Sequence, residues 1–320
     1  MADHETTATV DWQSLPQSDE LFRFSFEDGR VRGVSLRLEN AWQSAIENSD
    51  YPPEVASLLG QAVAGAVLMV ASLKFEGRLV LQFAGHGPIS LLVVQVRSDR
   101  RFRCMAKWDG ERLAEAGTSL TDLMGRGQLV LTIEPDEGQR YQSLVPITGE
   151  RLEHAIEGYF QQSEQLPTRL VLAGDSTAIA GMLVQQMPET GGIVPASGPA
   201  ALEFEHVGKL VDTLVGEKGR AEMLDVSAPE LLHRLFHQES LRIHDVARVQ
   251  FNCGCSREAV GAMLASLGRV ELEESLENDE TPGSLEVRCD FCGSLYRFDR
   301  VDVEQLLSDD SVEPPGSTRH

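Results

Sequence analysis

The chain has 320 residues, 42% hydrophobic and 24% charged, the balance of a folded protein large enough to bury a core without disulfides. Its formal net charge of −22 argues against a nucleic-acid partner, because neutralising phosphates needs Lys and Arg gathered on one face. The same charge argues against docking on an anionic membrane.

Residues 1–18 are polar, acidic and aperiodic, and read as a disordered tail. Asp3, Glu5, Asp11, Asp19 and Glu20, with no Lys or Arg among residues 1–20, are the reverse of a signal peptide's basic start. The longest apolar stretch, 62–73, is short for a bilayer and rich in small residues. A cytoplasmic location is expected. The five cysteines then read as reduced thiols or metal ligands.

The run 21–26 alternates, and 31–38 follows it after Asp28-Gly29, which signals a hairpin. A short helix over 41–48 precedes a long one opened by Pro52 and Pro53. That helix runs to about residue 73 and is apolar nearly all round, so it is expected to lie buried under a sheet. Strands are expected at 78–84, 88–97, 100–107, 127–134 and 141–147, then a helix over 150–162 and strands near 168–173 and 178–187. The pattern predicts an α+β core domain over 19–195, a mainly antiparallel sheet packed with helices.

The texture changes at Glu189. A Gly-, Pro- and Ser-rich joint over 190–199 leads to a helical stripe of Val207, Leu210, Val211, Leu214 and Val215. Gly216 and Gly219 interrupt it, and Pro229 opens a second helix carrying Leu231, Leu232, Leu235 and Phe236. Short apolar helices with so little core of their own must pack on something else, and marginally. Residues 251–308 read as a small separate module and 309–320 as a disordered tail.

That module carries the strongest chemical signal. Cys253-Gly254-Cys255 is followed, after 33 residues, by Cys289-Asp290-Phe291-Cys292-Gly293, with no His between the pairs. Two close thiol pairs can supply an all-sulfur tetrahedral site for one Zn²⁺ per chain. Gly254 relieves the crowding of the tight Cys-x-Cys, and Gly293 lets backbone N–H groups approach sulfur. On one reading the metal is a static staple, supplying on the order of 10–16 kcal/mol to a module with few large apolar residues. On the other it is removable. A helix starting after Cys255, together with Arg257, Arg288 and Arg297, would favour reactive thiolates, and oxidation would eject the metal. Six acids over 271–280 read as a solvated face and count against nucleic-acid contact.

Other candidates carry less. Cys104 lies in an apolar strand and reads as a buried, inert thiol. His233 and His237 are spaced i, i+4, but the Glu of a metalloprotease helix is missing between them. Gly85-His86-Gly87-Pro88 is a turn, and Gly174-Asp175-Ser176 lacks the second glycine of a nucleophile elbow. There is neither a Walker sequence nor a dinucleotide fingerprint, and no enzyme activity is expected.

Several segments together resemble one family. They are Leu73-Lys74-Phe75-Glu76-Gly77 with Gly85-His86-Gly87-Pro88, Tyr159-Phe160 with residues 163–169 (Ser-Glu-Gln-Leu-Pro-Thr-Arg), residues 182–188 (Met-Leu-Val-Gln-Gln-Met-Pro), and the terminal Cys-x-Cys with Cys-Asp-Phe-Cys-Gly. Over roughly 20–308 the chain resembles the bacterial redox-regulated holdase chaperones, the 33 kDa chaperonins or heat shock protein 33 homologues. The spacing of 33 is long for that family, with the excess in 277–283. The resemblance implies zinc on Cys253, Cys255, Cys289 and Cys292 in the reduced, inactive form. It implies disulfides Cys253–Cys255 and Cys289–Cys292 after oxidation by peroxide with heat or by hypochlorous acid, with zinc released. It also implies that residues 196–250 are a metastable helical linker, which would then unfold, and that the protein, commonly a homodimer, would hold unfolding client proteins without ATP. The stripes Val207, Leu210, Leu214 and Leu231, Leu235, Phe236 are the candidate client-binding surface. The rival readings are a static zinc-binding adaptor recruiting a protein partner, and a thiol oxidoreductase. The latter lacks a Cys-x-x-Cys beside a thioredoxin-like βαβ start.

Overall fold

Two mainly antiparallel sheets form around one buried helix in the computed structural model, which describes residues 15, 17–26, 29–147, 149–188, 194, 197–278 and 283–309. Most of the expected terminal tails, most of the joint after residue 188 and the loop 279–282 lie outside the described residues. The chain divides into two compact units, Met1–Asn252 and Cys253–His320.

In the first unit β1 (Glu20–Phe26) and β2 (Val31–Leu38) make the expected hairpin, followed by α1 (Asn40–Ile46) and α2 (Pro53–Ser72). Then come β3 (Gly77–Gly85), β4 (Ile89–Arg97), β5 (Arg101–Trp108), α3 (Gly110–Ala114), α4 (Leu120–Met124), β6 (Gly127–Pro135) and β7 (Tyr141–Pro146). Next is α5 (Leu152–Tyr159), continued by one π-helical turn over Phe160–Glu164, and then β8 (Thr168–Gly174) and β9 (Ile179–Gln186).

The strands divide between two sheets. α2 lies in the core that both supply, and nearly all of it from Val55 to Ser72 is buried. By length and apolarity α2 could cross a bilayer, the one such helix among the described residues; its burial explains the composition instead. Small residues are required where neighbours come close. A Cβ on Gly60 would stand 2.5 Å from Ile179, and one on Gly65 2.6 Å from Ile156. α2 has no basic residue in its last turn. Arg23 of β1 and Arg32 of β2 instead donate to the Ala71 and Ser72 carbonyls, placing positive charge at the negative helix end.

The segment after the joint forms α6 (Pro199–Asp212), α7 (Glu217–Asp225), α8 (Ala228–Phe236), β10 (Leu241–Arg248) and β11 (Gln250–Phe251). The helices cover the other face of the first sheet, whose order is β10-β1-β2-β9-β8. There Phe22, Phe24, Phe26 and Met182 cluster with Val207, Val211, Leu214, Leu231, Leu232 and Phe236. The Phe236 ring lies 5.9 Å from that of Phe24 and 5.1 Å from that of Phe26, within the range of favourable aromatic pairs.

The segment is not helical throughout. β10 pairs antiparallel with β1 along its length, with an irregularity between Arg23 and Phe24. The second sheet runs β11-β5-β4-β3-β6-β7, and its short β11–β5 pairing is parallel.

The second unit contains α9 (Arg257–Ala265), α10 (Arg269–Asn278), β12 (Ser284–Arg288), β13 (Leu295–Asp299) and α11 (Arg300–Asp309). Its described core is small, built on buried Leu264, Leu272, Leu276, Phe298 and Val303.

The Gly85-His86-Gly87-Pro88 segment is the turn between β3 and β4. The Gly87 N–H donates to the Met124 carbonyl at 2.8 Å, and a Cβ there would meet the Leu123 carbonyl at 2.5 Å. Gly87→Ala is expected to destabilise the first unit by about 1–3 kcal/mol, read as a lower thermal midpoint. An unchanged midpoint would mean the backbone contact is not tight.

Candidate metal centre

Local backbone conformation brings the four cysteines together. β12 and β13 pair until Arg288 meets Leu295, and the chain between them turns tightly. The Cys289 N–H donates to the Ser294 carbonyl at 2.9 Å, and the Gly293 N–H to the Cys289 carbonyl at 2.8 Å. Gly293, at φ +68°, takes the left-handed conformation that this turn needs. In the other pair Gly254 sits at φ +49°, folding Cys253 and Cys255 about a residue that has no Cβ to clash. Ser256 then caps α9, its hydroxyl accepting from the Ala259 N–H at 3.1 Å.

The four sulfurs all lie within 4.8 Å of one another. Cys253 Sγ is 3.6 Å from Cys289 Sγ, and Cys255 Sγ is 3.3 Å from Cys292 Sγ. Tetrahedral coordination with metal–sulfur bonds of about 2.3 Å puts sulfurs about 3.8 Å apart, so the set fits one such ion and is consistent with zinc. Among the described residues these four are the one group of three or more His, Cys, Asp or Glu side chains that could hold a metal.

Electrostatics point the same way. Burial, then the neighbouring sulfurs, push the Cys253 thiol well up, and burial also raises Cys289. At Cys292 burial is outweighed by the Ser294 hydroxyl, 3.2 Å away, and the Ser294 N–H, which bring it down to about 7. Four thiols this close cannot all ionise on their own, and a cation removes that conflict.

Two supporting hydroxyls carry no signal in the sequence. Besides Ser294, Tyr296 donates to Cys255 Sγ at 3.2 Å, which pushes its own phenol up to about 12. Both depend on the β12–β13 hairpin register, which cysteine spacing does not report.

The arginines expected to favour thiolates brace the module instead. Arg257 bonds Asp302 at 2.7 Å and the Arg297 carbonyl, and lies over the Phe298 ring. Arg297 pairs with Glu286. Arg288 donates to the Gly293 carbonyl at 3.2 Å and so steadies the turn carrying Cys292.

Elsewhere, Cys104 is buried in β5, and burial pushes its thiol up to about 12. His237 follows α8 with Nδ1 3.0 Å from the Arg234 carbonyl, and neither it nor His233 belongs to a described metal-binding group. Of the apolar candidates, Val207, Leu214, Leu231 and Phe236 are buried and Leu210 and Leu235 partly so, all in one cluster against the sheet. The structure unites them as a covered surface.

The family model for Hsp33 protein matches residues 19–299. The 33 kDa chaperonin of Ectopseudomonas mendocina is 42% identical over 298 residues, covering 93% of this chain and 98% of its own. That of Methylobacillus flagellatus is 41% identical over 305 residues, covering 95% and 99%, and that of Vibrio vulnificus 39% over 301 residues, covering 93% and 98%. The fold is similar to the crystal structure of the 33 kDa chaperonin (heat shock protein 33 homolog) of Thermotoga maritima. The TM-score is 0.75 at 21% identity, covering 92% of this chain and 99% of that one.

Two outcomes follow from the geometry. Tyr296→Phe is expected to weaken metal retention about tenfold, measured by competition with a chromogenic chelator; unaltered affinity would leave the hydroxyl without a supporting role. In the metal-stripped and reduced protein, iodoacetamide at pH 8 should alkylate Cys292, whose thiol is brought down to about 7, while sparing the buried Cys104. A thiol at about 12 is only about 10⁻⁴ thiolate at that pH. Mass spectrometry showing rapid labelling of Cys104 would contradict its burial.

Proposed function

The chain belongs to the Hsp33 protein family, whose curated members are named chaperonins, and we propose that it is a redox-regulated, ATP-independent holdase. Its reduced form would hold one zinc ion on Cys253, Cys255, Cys289 and Cys292. The observation that carries this reading is the convergence of those sulfurs within 4.8 Å, in a module with a very small apolar core.

When bound, zinc joins the two cysteine pairs into one cross-link and keeps their sulfurs as thiolates. Oxidation proceeds on the cysteines themselves. One thiolate attacks a peroxide oxygen, forming a sulfenic acid and releasing hydroxide. A second sulfur displaces hydroxide from that sulfenic acid and closes a disulfide. Two thiolates thus give up two electrons, and one hydrogen peroxide takes up two protons and becomes two waters. We assign the disulfides to Cys253–Cys255 and Cys289–Cys292. All four sulfurs lie within 4.8 Å of one another and the 3.6 and 3.3 Å contacts run between the two cysteine pairs, so the assignment is supported by the resemblance to the family and not by proximity. Disulfide sulfurs are poor metal ligands, and the module loses the energy that held it together.

Cys253 follows β11 after a single residue, so disorder in the module passes along the chain to the segment 196–250. Release of α6, α7 and α8 would uncover Val207, Leu210, Leu214, Leu231, Leu235 and Phe236, together with Phe22, Phe24, Phe26 and Met182 of the sheet. Such an apolar surface holds any unfolding client by non-directional burial. It also favours self-association, in keeping with a homodimer when oxidised. The cytoplasm, where thiols are kept reduced until stress, is the compartment in which such a switch has meaning.

Peroxide at raised temperature tests the reading, with zinc release to a chelator dye and light scattering of a denaturing client followed in one sample. Zinc release and aggregation protection are expected to appear together and reverse with reductant. Zinc release without protection would favour the static adaptor, and retained zinc would reject the switch.

A further inference from the structure

Glu153 of α5 is buried, its side chain only 2% exposed. Its Oε1 accepts from the Leu172 N–H at 3.1 Å and pairs with Arg220 of α7 at 2.5 Å, whereas its Oε2 is buried without a hydrogen-bond partner. Arg220 does more than neutralise it. Its Nε donates to the Val215 carbonyl at 3.1 Å, and a terminal nitrogen donates to the Leu172 carbonyl. On the open edge of strand β8 the Leu172 N–H is thus satisfied by Glu153 and the Leu172 carbonyl by Arg220, much as the Leu170 N–H is satisfied by Glu157 at 2.9 Å.

From these contacts we propose that Arg220 and Glu153 form a latch that holds α6, α7 and α8 on the sheet and sets how readily the apolar surface beneath them is uncovered. The proposal rests on the holdase reading above and names the residues that resist its conformational step. If α7 lifts, the Glu153 carboxylate and the Leu172 carbonyl lose their partner together, inside a site where an unpaired charge is strongly disfavoured. Other ion pairs between the segment and the sheet are weaker restraints. Arg30–Glu203 at 3.7 Å and Arg169–Asp212 at 3.9 Å are long and solvent-exposed on at least one side, a class worth little. Gly219 belongs to the device. A Cβ there would meet the Leu214 backbone at 2.4 Å, so the glycine allows the tight turn that seats Arg220. Arg220 is a positioning residue and touches neither client nor metal ligand.

The test uses full-length, reduced, metal-loaded protein without oxidant. Arg220→Met keeps a long apolar side chain and leaves Glu153 unpaired, and the double variant Arg220→Met with Glu153→Met replaces the pair by matched apolar groups. Limited proteolysis within 199–236 is expected to quicken on the order of 100-fold in R220M, with metal content unchanged. In the double variant it should return most of the way to the wild-type rate. A general loss of packing in the single variant would not be rescued by a second core substitution. Arg220→Lys keeps the charge and gives up the forked donors, and about tenfold faster cleavage is expected. Cleavage at the wild-type rate in both R220M and the Lys variant would overturn the latch, as would a double variant cleaved as fast as the single. Client protection is scored separately. Release of the segment without protection would count against the holdase reading and leave the latch standing. Protection by oxidised wild type, with no release in R220M, would do the reverse.

Discussion

The first sheet is apolar on both faces, and the rest of the molecule is arranged around covering it. Along β1, Leu21 points into the core shared with α2, whereas Phe22, Phe24 and Phe26 point the other way. One cover is α2, held between two sheets and capped by Arg23 and Arg32. The other is three short helices, each too short to be stable alone. The two covers differ in kind: one is inside the molecule, and the other is laid on its surface by a stretch of chain that leads directly to the first cysteine.

The second unit meets the opposite constraint. With few buried side chains it has too little apolar area to fold strongly by burial, and its four sulfurs stand where a metal cross-link would do the work of a core. On the proposed reading, coupling a cover that cannot stand alone to a module that depends on ligand chemistry would make exposure of the sheet conditional on the state of four thiols. The Arg220–Glu153 pair adds a threshold on the core side. In the proposed switch, sensing and resistance would thereby lie on different residues and could be tuned separately.

The cysteine cluster was legible because spacing alone brings Cys253 and Cys255, and Cys289 and Cys292, together, and because Gly254 and Gly293 mark the required turns. The long strands and α2 were legible from their periodicity. α3 and α4 were missed because five residues hold no period, although Asp109 and the Ser119–Asp122 capping box mark their starts. β11 has two residues and only its pairing with β5 defines it. β10 was absorbed into a segment expected to be helical, although Leu241 and Ile243 alternate. Tyr296, Ser294 and Glu153 act through neighbours distant in sequence or set by hairpin register, so no local pattern reveals them.

The glycines and alanines that let α2 fit between two sheets also shape how the chain is made. α2 ends at Ser72, but β8 and β9, which close over one side of it, run from Thr168 to Gln186. At the usual 5–20 residues per second of synthesis, a 20-residue helix with membrane-like apolarity waits roughly 5–20 s for that partner. During its own synthesis this chain therefore displays the very kind of surface that it is proposed to shield in others.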